Sequence, residues 1–480
     1  MAIHRITASA DNTITNAYGV NLKIRGTGSN MGASDILEVF SIYGQKTTNS
    51  SEIARTLIQF PLDTITTKRS NNTLPESGSV SWILKLYNAK HVESVPTNFD
   101  FFVLPISKEW EEGIGLDMEN YSDLTYDSTG SNWLQAIHSA SHDADGKWTT
   151  AGGDYLYNHG VTASFKSGLE DLEVDVSNIV EDWVKGASGG EYNNYGFGIF
   201  LSSSQESAQK SYYTKKFFAR GTEFYYKRPI LEARWDSAEK DNRGNFFLSS
   251  SLATGEQNLN KLYLYNKPRG ALTNIPGLET SEISASLCSS IGGSFLGTFT
   301  GGQELPSIGV YTASVFIAGT YDTLYDVWHN GDGVQYHTGT ISPKALSANV
   351  NSEDTKYVLS LTNNNHEYHS SQTARFKLYT RLKNWSPNLF TTAQSKPENI
   401  IIDDALYKVF RVSDDLTVID YGSGSTKHTQ LSYNVSGNYF DLDMSIFEPN
   451  YQYGIKFSFY NTYLSSYVEQ PYIFKFRVVD

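Results

Sequence analysis

The chain has 480 residues, 52 of them acidic and 38 basic, for a formal net charge of -14 and a pI near 5.2. That balance argues against a nucleic-acid partner, because phosphates need basic patches, and no apolar run approaches the length of a membrane span. Aromatics make up 14%, with 32 Tyr and 25 Phe against 4 Met, a bias toward strands. The single Cys288 excludes an intrachain disulfide and any cysteine-based zinc or iron–sulfur site, so it reads as an inert core thiol.

In chain order, Met1 to Arg5 lack the apolar core of a signal peptide and enter a strand directly, so synthesis in a reducing cytoplasm without Sec export is expected. Ile6, Ala8 and Ala10 alternate before a turn predicted at Asp11-Asn12. Ala54, Thr56, Ile58, Phe60 and Leu62 alternate next, then Val80, Trp82, Leu84 and Leu86, with Lys85 on the opposite face. Phe101 to Ile106 is apolar on both faces, as expected of a central sandwich strand. From Glu109 to Tyr157 the periodicity disappears into a loop-rich excursion carrying Trp110, Trp133 and Trp148. Tryptophans this dense usually anchor a loop by packing; the alternative is a mobile loop whose indoles stack on a sugar.

From Leu172 to Trp235 the pattern is sharper. Ser177 is expected as a helix N-cap, Ile179, Val180, Trp183 and Val184 form one helical stripe, and Gly186 stops the helix. Tyr195, Phe197, Ile199 and Leu201 then share a strand face, and Pro229 introduces a last strand with Leu231, Ala233 and Trp235 together. One short helix clipped onto strands reads as the end of a β-sandwich domain or, equally, as a generic α+β core piece.

The order Ile6 to Asn12, Arg55 to Leu62, Leu84 to Tyr87, the Trp110 and Trp133 loop, Asp175-Val176 with Trp183, Asn194-Tyr195-Gly196 and Arg228 to Leu231 resembles the disaggregatase-related (DNRLRE-type) jelly-roll modules. These occur in extracellular carbohydrate-associated proteins and in phage virions. The resemblance covers about the first half of the chain. It implies a jelly-roll sandwich and a binding or adhesive role, and no catalytic residue.

Asp236 to Asn245 reads as a polar linker or turn. Strand patterns at Leu262 to Tyr265, Ile283 to Leu287 and Val310 to Ala318 predict a small sandwich. A third unit holds Phe376 to Leu382, Tyr453 to Phe459 and Tyr472 to Val478. The expected fold is therefore all-β, a string of β-sandwiches: a jelly roll over 1–236 with one short helix, then smaller sandwiches over 245–345 and 350–480. Leu262 to Asn266, Phe447 to Tyr451 and Phe474 to Arg477 resemble segments of structural proteins of marine tailed bacteriophages.

Candidate chemistry is sparse. Glu109, Glu111 and Glu112 beside Trp110 could flank a sugar as an acid pair, but adjacent loop glutamates are usually solvated charges. Asp143 and Asp145 before Gly146 resemble the start of a calcium loop, with Asp154 in place of the closing glutamate, which leaves an irregular Ca²⁺ site as the expectation there. Asp322, Asp326, His329 and Asp332 could hold a cation or form an exposed hairpin tip, and His366 and His369 fall in a polar loop. No phosphate-cradling loop or nucleophile elbow is present. These features together predict a non-enzymatic virion component without a cofactor, a homo-oligomer docked on other virion proteins in the neck, tail or capsid. A glycan- or receptor-binding module using Trp110, Trp133 and Trp148, and a glycan-degrading enzyme using the glutamates, are the rival readings.

Overall fold

The computed structural model describes residues 2–19, 23–44, 50–71, 73–91, 96–116, 130–138, 146–186, 189–209, 212–278, 283–304, 307–344, 355–385, 399–424 and 426–480. The chain is all-β and divides into two compact units, one of residues 3–68 and 76–234, the other of 2, 69–75 and 235–480.

The first unit contains β1 (Ile3–Thr7), β2 (Ala10–Thr15), β3 (Ile36–Gly44), β4 (Ser50–Gln59), β5 (Ser81–Leu86), β6 (Phe99–Pro105), β7 (Val161–Phe165), β8 (Leu172–Asp175), β9 (Phe197–Leu201), β10 (Tyr212–Phe218) and β11 (Ile230–Arg234). One sheet runs β1-β11-β5-β8, the other β10-β3-β4-β9-β6-β7 with β2 also on β4. Taking β1, β4, β5, β6, β7, β8, β9 and β11 as first to eighth, the first sheet reads first-eighth-third-sixth and the second reads second-seventh-fourth-fifth. That interleaving of two Greek keys is a jelly roll. Between the sheets, Trp82, Leu84, Leu231 and Ala233 are buried from one side, and Phe197, Ile199, Phe101 and Val103 from the other.

Among the described residues there are three short α-helices rather than one: α1 (Ile65–Ser70), α2 (Ser177–Lys185) and α3 (Ser203–Glu206). The apolar stripe of α2 behaves as its spacing dictates. Ile179, Val180 and Trp183 are buried, Trp183 packs 4.6 Å from the Phe197 ring, and Gly186 ends the helix with φ +55°. Ser177 is not the cap, however. It is the first helical residue, and its hydroxyl accepts the Trp82 backbone N–H at 2.8 Å and donates to Asp175 Oδ1 at 2.6 Å, pinning the helix to β5.

β6 is apolar on both faces because the 106–156 excursion covers the outer face of the larger sheet with a second core. Trp110, Trp133, Trp148 and Tyr155 pack there against Ile14, Leu57, Leu104 and Phe200. Arg55, reaching out of β4, lies inside this layer. Its guanidinium pairs with Glu206 at 2.9 and 2.7 Å, donates to the Gly152 carbonyl at 2.9 Å, and sits 4.6 Å from the Phe200 ring centre and 5.3 Å from that of Trp133. Gly198 of β9 permits the close approach of Tyr155, whose ring would lie 2.1 Å from an added Cβ.

The second unit begins with β12 (Asn260–Tyr265), β13 (Ile283–Cys288), β14 (Phe295–Gln303), β15 (Val310–Val315), β16 (Leu324–His329) and β17 (Gln335–Ile341). They form one antiparallel sheet, β12-β15-β14-β13-β16-β17. Leu262 and Leu264 of one edge strand and Ile341 of the other meet in the same core around Tyr311 and Trp328. The unit expected over 245–345 is thus built on one hydrogen-bonded sheet whose two edge strands share a core, and Cys288 of β13 is a buried free thiol.

The remaining strands are β18 (Tyr357–Leu361), β19 (Glu367–His369), β20 (Thr373–Leu382), β21 (Ala405–Arg411), β22 (Thr417–Ile419), β23 (Ser432–Asn434), β24 (Gly437–Asp443), β25 (Gln452–Asn461), β26 (Ser466–Glu469) and β27 (Phe474–Val479). They make a sandwich of β18-β20-β24-β23 against β19-β27-β25-β21-β22, with β26 on β25. Its core is an aromatic stack: Phe440 lies 5.3 Å from Phe376, 4.4 Å from Tyr407 and 5.8 Å from Phe457. Such ring pairs add about 1 kcal/mol each beyond their burial.

The stretch 236–245, expected to be a linker, is an integral part of this unit. Asp241 N–H donates to the Tyr433 carbonyl at 3.0 Å, Tyr433 N–H to the Glu239 carbonyl at 2.9 Å, and Asn242 Nδ2 to the Tyr433 hydroxyl at 3.0 Å. Lys240 bridges Tyr433 in parallel. Because the polar segment hydrogen-bonds along β23, the sheet of β12 to β17 and the C-terminal sandwich belong to one compact unit instead of two separated domains.

Replacing Arg55 by Met would retain the stem but strand the Glu206 carboxylate, which is buried. Urea unfolding of Arg55→Met is expected to show a loss of about 3–5 kcal/mol in the first unit; a loss below about 1 kcal/mol would mean that the excursion is held by its indoles alone.

Candidate functional site

The three tryptophans proposed as sugar platforms are buried, with exposures of 6% for Trp110, 8% for Trp133 and 5% for Trp148. Trp110 Nε1 donates to the Tyr195 carbonyl at 2.7 Å and Trp148 Nε1 to the Asn132 carbonyl at 2.9 Å. Trp133 lies under the Arg55 guanidinium. Their faces are spent inside the second core, which corrects the reading of them as ligand-stacking residues.

The glutamates around Trp110 are likewise engaged. Glu112 receives Arg220 Nε at 2.9 Å and Nη2 at 2.6 Å, and accepts the Asp11 backbone N–H at 2.9 Å. Glu111 Oε2 accepts the backbone N–H of His138 at 3.1 Å. Glu109 is exposed. No two of them face each other across a cleft as a hydrolytic pair would.

Asp11 and Asn12, predicted as a turn, are buried in β2 instead. Asn12 Nδ2 donates to the Ser131 carbonyl at 2.8 Å, and Asp11 Oδ2 accepts the Arg220 backbone N–H at 2.5 Å. Burial, with Glu112 adding a like charge, outweighs that hydrogen bond and Arg220, pushing the Asp11 carboxyl up to about 7.

Asp143 and Asp145, the irregular calcium candidates, lie outside the described residues. Asp154 caps a turn, its two oxygens accepting the Thr149 and Thr150 backbone N–H groups at 2.8 and 2.9 Å. Among the described residues, no three His, Cys, Asp or Glu side chains converge as a metal shell. The group Asp322, Asp326, His329 and Asp332 does not act together. Asp326 is fully buried in the sheet of β12 to β17, ion-paired with Arg243 and accepting Trp328 Nε1 at 2.8 Å. His329 stacks on Phe295 at 5.4 Å, while Asp322 and Asp332 are exposed. His366 and His369 are exposed; His369 Nδ1 hydrogen-bonds the Ser371 hydroxyl at 2.9 Å.

One polar concavity is a feature that the sequence did not flag. It is a cleft of about 400 Å³ in the second unit, lined by Glu239, Glu304, Arg375, His428, Gln430, Ser432, Tyr439 and Asp441. Strand register assembles it. Arg375 of β20 and Asp441 of β24 are opposite each other and form a fork at 2.7 and 2.8 Å. The guanidinium lies 4.4 Å over the Tyr439 ring. Glu239, from the segment along β23, takes two phenol protons: the Tyr439 hydroxyl donates at 2.9 Å and that of Tyr265 at 3.2 Å. Burial first, and then the Glu239 charge, push both phenols well above the ordinary tyrosine range, so both remain donors. The Asp441 hydrogen bonds raise the Arg375 guanidinium in turn. Acids, phenols and guanidinium thus satisfy one another, and none is left as a nucleophile beside a base.

The Asp11 carboxyl sets a pH dependence. It ionises less readily folded than unfolded, so the folded chain binds the extra proton between about pH 4 and 7 and stability falls as pH rises across that window. The slope from one proton is at most about 1.4 kcal/mol per pH unit. Buried Glu232, held down to about 2, acts with opposite sign and only at lower pH. Thermal melts of Asp11→Asn are expected to lose the decline between pH 5 and 7 that the parent shows; equal slopes for the two proteins would refute this.

No family model and no curated protein matches this chain. Solved structures show only faint likeness. The fibronectin(III)-like modules of Clostridium thermocellum CbhA align at 10% identity over 51% of this chain and 90% of theirs, with a TM-score of 0.14. A titin fragment aligns at 12% identity over 47% of this chain and 87% of its own, TM-score 0.15. The native α-2-macroglobulin of E. coli aligns at 9% identity over 93% of this chain but 20% of its own length, TM-score 0.15.

Proposed function

We propose that this protein is a non-enzymatic structural component of a tailed-phage virion, an adaptor or decoration at the neck, tail or capsid that works through repeated subunit contacts. The observation that carries the reading is apolar surface left open on the sheet of β12 to β17. Phe295 and Phe316 are each 54% exposed, and Ile291 and Leu296 are exposed near the same strands. Large exposed aromatic patches mark interaction surfaces, and aromatic side chains are enriched at interface cores. The resemblance of the first half to jelly-roll modules found in virions supports the same reading. So do the acidic charge and the independence from disulfides, which suit folding in a reducing host cytoplasm before docking on the particle. Partners are further copies of this chain and other virion proteins.

A surface-glycan role has one observation in its favour. Tyr157 is 64% exposed at the rim of a hollow lined by Lys108, Thr149, Thr150 and Asp154, a geometry in which a sugar could stack on a phenol and meet polar neighbours.

Sedimentation of the parent chain is expected to show self-association that Phe295→Ser with Phe316→Ser weakens by about a thousandfold, since interface aromatics are worth about 2 kcal/mol each. A parent that is monomeric at high concentration, and absent from the peptide inventory of purified particles, would rule out the assembly reading. In polysaccharide pull-downs, retention that persists in Tyr157→Ala would remove the glycan reading from that hollow.

A further inference from the structure

Lys215 of β10 is fully buried, at 0% exposure. Its Nζ donates to Asn88 Oδ1 at 2.7 Å and to the carbonyls of Gly168 and Glu170. The rings of Phe165 and Phe217 stand 5.0 and 5.2 Å away. Asn88, just beyond β5, bridges Phe217 in antiparallel register, so its side chain and that of Lys215 share one side of the ladder. Two acids border the pair. Asp171 Oδ1 accepts the Asn88 backbone N–H at 2.7 Å, and Glu170 keeps one carboxylate oxygen buried with no hydrogen-bond partner among the described residues.

We propose that Lys215 and Asn88 react to form an intramolecular isopeptide bond. The uncharged Nζ attacks Cγ of Asn88, a new C–N bond forms, and the bond from Cγ to Nδ2 breaks. The proton lost from Nζ passes to the departing nitrogen, and ammonia leaves. No electrons change hands and no co-reactant is consumed. Burial among aromatic rings favours the uncharged amine the attack requires, lowering the Lys215 ammonium to about 8. The product ties the chain beyond β5, in one sheet of the jelly roll, to β10 in the other. In a chain whose only cysteine is Cys288, it would supply the covalent brace that a disulfide cannot.

The decisive measurement is the intact mass of the full-length denatured protein. The parent is expected about 17 Da, one ammonia, below its sequence mass, and tryptic digestion should release a branched peptide joining the segments around Asn88 and Lys215. Lys215→Arg and Asn88→Ser are expected at full sequence mass without the branched peptide. A parent at full sequence mass, both fresh and after prolonged incubation, would overturn the proposal and leave Lys215 as an ammonium capped by three oxygens. That reading needs no folded variant.

Discussion

The first unit depends on the placement of one guanidinium. Arg55 leaves β4 on the face away from the sandwich core, where a charge would ordinarily meet water. Here it meets Glu206, the Gly152 carbonyl and three aromatic rings. Taking such a charge out of water costs several kcal/mol, which only a bidentate partner and further hydrogen bonds can offset. Because those partners come from three separate segments, satisfying Arg55 fixes the excursion, α3 and the outer face of the larger sheet together. The indoles then pack around a charge whose position is already determined.

The second unit solves a related problem with neutral donors. Glu239 sits between strands of two different sheets and is held by the hydroxyls of Tyr265 and Tyr439, while Arg375 and Asp441 close on each other beside it. The Glu239 carboxylate is thereby committed to two hydroxyl donors, as Arg375 is to Asp441. The cleft is thus closed by its own side chains, while Phe295 and Phe316 on the same unit stay exposed.

Charge in the jelly roll follows the strand ladder as well. Arg5, Glu232 and Arg234 lie on adjacent strands β1 and β11, with Glu232 paired to Arg5 at 2.6 Å and to Arg234 at 2.5 Å. Arg5 faces Glu232 across the ladder and Arg234, two residues along β11, meets the same carboxylate, so these charges stay compensated though largely buried.

Periodicity alone determined the strands and much of their facing. Trp82, Leu84 and Leu86 against Lys85, the stripe Ile179, Val180 and Trp183, and Pro229 before β11 all stand where a local rule puts them, because alternation and helical spacing are properties of short stretches. What the tertiary structure decided involves partners far apart in the chain. Whether Trp110, Trp133 and Trp148 face solvent or core depended on Arg55 and Glu206, which are 151 positions apart. Asp11 read as a turn residue because its partners, Glu112 and Arg220, lie more than a hundred residues away. Asp326 looked like a hairpin acid until Arg243 reached it across 83 positions. The 236–245 segment looked like a linker because nothing local shows that β23 offers it a ladder. Polar residues carry no periodic signal of burial; only the assembled fold supplies the counter-charge or the hydrogen bond that makes burial affordable.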